Sequence, residues 1–163
     1  MNEYQEMKEH HNKELSKFPI FRAYSNREAE LQKQLRGLKG ISYLGMGVYF
    51  WGKNVEKAAL VVQRQRNEIH ERMYDDKDGT GFMYDAFHEE LMNTGFSKEN
   101  KNMGGALVAL DFTEEMFMMN ERLLRSFNRA AADILGERDG GYDPRVREPE
   151  KYKVLLERLE MER

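Results

Sequence analysis

The sequence predicts a helix-dominated α+β domain with two or three short strands and a C-terminal helix after a linker. Three observations lead there. Apolar residues recur at helical spacing through most of the chain. Only short runs, around residues 18–24 and 48–51, are β-branched or aromatic enough for strands. A stretch from Gly136 to Pro149 mixes Gly, Pro and charge without periodicity, as a linker does. The expected organisation is a domain over 1–135, a linker over 136–149 and an amphipathic helix over 150–163.

The elements follow in order. Residues 2–16 are polar, with Tyr4, Met7 and Leu15 on one side of a predicted helix. Phe18 to Tyr24 alternates and reads as a strand, with Pro19 placing it at a strand start or a sheet edge. Ser25 with Glu28 three residues on forms a capping box. The helix it opens runs to about Arg36, with Leu31, Leu35 and Leu38 on one face, and Gly37 and Gly40 end it. Val48-Tyr49-Phe50-Trp51 is the strongest strand signal. A long helix, capped by Asn54, should cover 54–74 through Val55, Ala58, Ala59, Val62, Ile69 and Met73. After an Asp/Gly turn at 75–81, a helix takes 82–92 with Met83, Ala86, Phe87 and Leu91 inward. Residues 93–103 form a polar loop. Ala106 to Leu110 fits a buried strand or a short helix equally. Thr113 caps Glu114-Glu115, and Asn120 restarts a helix with Leu123, Phe127, Ala130, Ala131 and Ile134 as its stripe. Pro149 can open the last helix, whose apolar face is Tyr152, Leu155, Leu156 and Leu159.

Composition excludes several chemistries. The 163 residues contain no Cys, so disulfides, thiolate metal sites and thiol catalysis are absent. The 26 basic and 29 acidic residues leave a net charge of −3, which argues against a duplex-DNA binder. Residues 137–163 carry seven basic and eight acidic side chains, so the tail is no electrostatic arm. With no signal-like start and no apolar run of about 20 residues, a cytoplasmic, membrane-free protein is expected.

Motif by motif, reactive sites fail to assemble. An EF-hand registered from Tyr74 finds Asp76, Asp78 and Gly79 in place, but Tyr74 stands where the first Asp ligand belongs, Gly81 where a branched apolar residue belongs, and Asp85 where a bidentate Glu belongs. The plainer alternative is an Asp/Gly turn. His70-Glu71 and His88-Glu89 each lack the second His of a zinc-protease helix, and adjacent His10 and His11 diverge on a helix. The glycines at 37, 40, 45 and 47 are followed by no phosphate-binding Lys-Ser/Thr. We therefore expect no catalytic residues, no metal and no cofactor.

Two resemblances add to this. Leu44-Gly45-Met46-Gly47-Val48-Tyr49-Phe50-Trp51, followed by Ala58-Ala59, resembles the central strand and helix of ADP-ribosyltransferases. The resemblance implies that Tyr49 stacks on nicotinamide and Arg22 holds the NAD phosphates, in an active or degenerate NAD-binding protein. No His-Gly-Thr/Ser segment precedes the strand, and no downstream Glu stands out as catalytic. The alternative is an aromatic strand buried against helices. From Phe18 to Leu135, the chain resembles an uncharacterised family of short proteins from phages and mobile elements of gut bacteria. The elements that carry it are Phe18 to Ser25, Gly45 to Tyr49, Gly79 to Phe87 with Glu90-Leu91, and Ala106 to Glu115 with Asn120, Leu123 and Leu124. This resemblance implies an accessory protein that works by binding, such as an anti-CRISPR-like inhibitor of a bacterial defence system. The expected partner is a protein. The expected contacts are Met116, Phe117, Met118 and Met119, since unbranched Met suits irregular binding faces. The last helix, through Tyr152, Leu155 and Leu159, is a second contact and would serve a homodimer.

Overall fold

The computed structural model describes residues 1–137 and Glu157. The chain runs α1 (Glu3–Leu15), β1 (Ile20–Arg22), α2 (Asn26–Leu35), β2 (Ser42–Gly45), β3 (Val48–Phe50), α3 (Val55–Asp75), α4 (Phe82–Asn93), α5 (Gly104–Leu110), α6 (Glu114–Met118) and α7 (Glu121–Leu135). This is the helix-dominated α+β domain that the periodicity predicts. The linker beyond Glu137 and the 150–163 helix, with Tyr152, Leu155 and Leu159, lie outside the described residues, Glu157 apart. Among the described residues, no helix is long and apolar enough to cross a membrane.

The core is built where α4 packs on α7. Met83, Ala86, Phe87 and Leu91 meet Leu123, Phe127, Ala130 and Ala131, all fully buried. Phe87, Phe117 and Phe127 form an edge-to-face triangle, with ring centroids 4.6–6.1 Å apart. That geometry sets positive ring edges against negative ring faces. Ala106 to Leu110 falls within helix α5, which packs on α4 and buries Ala106, Leu107, Ala109 and Leu110.

The three strands form an antiparallel sheet in the order β1-β3-β2. Pro19 immediately precedes edge strand β1, and its carbonyl accepts the Trp51 N–H at 3.0 Å. The periodicity missed β2 and its hairpin. Met46 and Gly47 turn the chain with φ +55° and +75°, and two central residues at positive φ suit the twist of an antiparallel pair. Gly47 is required twice over. Its φ is left-handed, and a Cβ there would lie 2.9 Å from the Ala23 carbonyl oxygen and the Tyr24 ring.

Three local expectations are corrected. Asn54 does not cap α3 with its side chain; it takes a left-handed conformation at φ +62°. Ser25 accepts the Glu28 N–H at 3.1 Å, but Glu28 reaches Tyr24 N–H at 2.8 Å rather than Ser25, so the box closes one residue early. The leucine face of α2 does not point inward either. Leu31 is 54% and Leu35 73% exposed, and Leu38 is half-buried. The helix instead sets Ala29 into a small cluster with Phe21, Ala23 and Tyr49, because a three-stranded sheet offers too little area to cover a leucine stripe. The caps at Thr113 and Asn120 form as predicted, accepting N–H groups of Met116, and of Arg122 and Leu123.

Candidate functional site

Strand alternation puts Phe21, Tyr49 and Tyr43 side by side on the outer face of the sheet. Phe21 stacks on Tyr49 at 5.4 Å and 8°, and Tyr43 lies against the Tyr49 ring at 4.8 Å. The Arg36 guanidinium caps the row, 5.4 Å above the Phe21 ring. Tyr43 is 51% exposed and its hydroxyl accepts the Gly47 N–H at 3.2 Å. Trp51 directly follows β3 and is 43% exposed. Burial pushes the phenols of Tyr43 and Tyr49 up, so both stay protonated at neutral pH and offer ring faces rather than charge.

The two residues that the transferase resemblance selects are not brought together. Tyr49 is almost fully buried, with Phe21 on one flank and Tyr43 on the other. Arg22 belongs to the opposite face of the sheet, where its guanidinium donates to Asn12 Oδ1 at 2.8 Å.

That inner face borders a polar centre shared by α1, α3 and α4. Lys8 pairs with Glu90, which is buried and also accepts from Asn93 at 3.1 Å. His11 Nε2 meets Glu68 at 2.8 Å, and Gln65 donates to Glu14 at 2.9 Å and to the His11 carbonyl at 3.2 Å. A cavity of about 20 Å³ lies between Tyr4, Lys8, Arg22, Gln65 and Glu90, room for one water molecule. Gln65 and then Arg64 hold the Glu14 carboxyl below its usual range. At Glu68, burial works the other way but is outweighed by His11 and Arg64. Each of these carboxylates is engaged by a cation or an amide, so the centre ties helices together. Among the described residues, no group of three or more His, Asp or Glu side chains is placed to hold a metal ion. In the Asp/Gly turn, Asp76 caps α4 by accepting the Gly81 and Met83 N–H groups at 2.9 and 3.0 Å.

The methionine-rich segment splits in two. Phe117 and Met118 are buried, so as partner contacts they are corrected: one turn of helix cannot present four consecutive side chains outward, and these two anchor α6 in the core. Met116 and Met119 are 41% and 46% exposed. Sequence reasoning missed Leu31 and Leu35 as exposed residues. It also missed a groove of about 690 Å³ between α2 and the loop after α4, lined by Arg22, Tyr24, Leu31, Asn93, Asn100 and Asn102. No sequence signal separates an exposed leucine stripe from a buried one. The groove joins segments seventy residues apart.

The chain belongs to a family of unknown function, DUF7659, which it matches over residues 3–133. No curated protein and no solved structure matches it.

Proposed function

We propose that this protein acts by binding rather than by catalysis, as a phage or mobile-element accessory protein that docks on a component of a bacterial defence system and inhibits it. One observation carries the reading. Leu31 and Leu35 on α2, with Met116 on α6 and Met119 just after it, are among the large apolar side chains left in solvent. Apolar side chains held outward on an anchored helix supply contact area at low ordering cost. Phe117 and Met118 provide that anchor for the methionine pair.

The test is affinity capture from a host lysate with the wild type and two charge variants, Leu31→Glu/Leu35→Glu and Met116→Glu/Met119→Glu. The expected result is one dominant captured protein, lost in at least one variant while both melt like the wild type. Capture unchanged in both variants would overturn these side chains as the docking surface.

A further inference from the structure

We propose that the outer face of the sheet, with α2 beside it, binds single-stranded nucleic acid, the bases stacking on Tyr43 and Trp51 and the phosphates meeting exposed cations among Lys17, Arg27, Arg36, Lys39 and Lys53. The proposal stands apart from the docking reading, since it uses none of Leu31, Leu35, Met116 or Met119.

The charge is segregated. Residues 17–54 contain Lys17, Arg22, Arg27, Lys33, Arg36, Lys39 and Lys53 against only Glu28 and Glu30. This segment of the chain is therefore +5 and the remainder −8, within a net charge of −3. The balance found in the tail does not hold here. None of these seven cations joins an ion pair among the described residues. The pairs that form use Lys8, His11, Lys13, Arg64, Arg66 and Arg72 instead. Lys17, Arg27, Arg36, Lys39 and Lys53 are exposed. The acidic remainder does not cancel them at a distance, because physiological salt screens exposed charges beyond about 8 Å. Asp111, the carboxylate felt by Tyr43, is itself paired with Arg66.

Charge alone would suit an acidic protein as well; the rings decide for nucleic acid. Tyr43 lies opposite Tyr49, and strand alternation carried one residue past β3 puts Trp51 on the same side. That makes them diagonal neighbours on adjacent strands, about 7–8 Å apart at the backbone. The Tyr49 ring and the Gly47 N–H hold Tyr43 in place. Two exposed aromatic side chains, one of them held in place, within a segment of net charge +5 suit unstacked bases together with their phosphates. A duplex keeps its bases stacked on one another and offers these rings nothing.

Trp51 is the sole tryptophan, so its emission reports on the site directly. The full chain is titrated with oligo(dT) and oligo(U) of about 16 nucleotides, with a duplex of equal length, and with poly-glutamate. The single strands should quench Trp51, with affinity falling as salt rises at a log–log slope of about −0.7 per phosphate met. Tyr43→Ala should weaken binding about tenfold, and Lys39→Glu/Lys53→Glu should weaken it and flatten the salt slope. Circular dichroism checks that the variants fold. The wild-type quench needs no variant, so it stays decisive if one does not. No quench by either strand at low salt overturns the proposal. Duplex binding of equal strength overturns the stacking platform, and equal quenching by poly-glutamate assigns the face to an acidic protein.

Discussion

His70 shows what a single residue does once its surroundings are known. By sequence it is half of an incomplete zinc motif. In the fold its Nε2–H donates to the Leu110 carbonyl at 2.6 Å, and its ring stacks on Phe112 at 4.4 Å and 4°. It thereby ties α3 to the end of α5. Burial lowers its pKa below the usual 6.5, opposed by the Leu110 carbonyl. The native state therefore binds fewer protons here than the unfolded chain. The resulting stability is fully present above pH 6.5 and is lost as pH falls from 6.5 through the lower native pKa. Melting temperature measured from pH 8 down to 5 should fall for the wild type. His70→Gln keeps a donor for Leu110 but cannot titrate, so its profile should be flatter over that window. Parallel profiles would remove His70 as the source.

Among the elements, α1 is held both by buried apolar anchors and by polar ties. Tyr4 and Leu15 are buried, but Met7 is only half-buried and His11 fills the place between. Lys8 to Glu90 joins α1 to α4, while Glu14 with Arg64 and Glu3 with Arg72 join it to α3. The last two are exposed enough to contribute little. Lys8–Glu90 differs because Glu90 is 2% exposed. Removing one partner strands a buried charge, so Lys8→Met should lower unfolding free energy by about 3 kcal/mol in urea titration. Lys8→Met/Glu90→Leu should recover most of that loss. A single variant costing under about 1 kcal/mol would mean that the pair is solvated like a surface bridge.

At the scale of the molecule, the described residues form one large apolar cluster and one small one. The large cluster joins α1, α3, α4, α5 and α7 with the inner face of the sheet. The small cluster is Phe21, Ala23, Ala29 and Tyr49, with Leu38 and Ile41 beside them. Ala29 is the only fully buried residue of α2. Local opening is easiest where few apolar contacts must break. Amide hydrogen exchange should therefore be much faster in α2 than in α4 and α7, and equal protection would join the two clusters into one cooperative unit. The proposed single-strand face lies on the looser part, where ligand binding should slow exchange in β2 and α2.

The sequence by itself determined most of the helices and the caps at Thr113 and Asn120. A 3.6-residue period and an N-terminal oxygen acceptor are local properties, as α4, α7, Thr113 and Asn120 show. It also located a strand at Val48 to Trp51, of which Val48–Phe50 forms, and placed Pro19 at a strand start or sheet edge. Tertiary structure alone decided which apolar faces are covered. Leu31 and Leu35 have the same spacing as Leu123 and Phe127, but α7 has α4 across from it and α2 has only a narrow sheet. It likewise decided that Ala106 to Leu110 is a helix, that Met116 and Met119 face out while Phe117 and Met118 face in, and that Arg22 and Tyr49 sit on opposite sides of the sheet. Burial depends on what arrives from elsewhere in the chain, and that partner is not written in the period of the segment it covers.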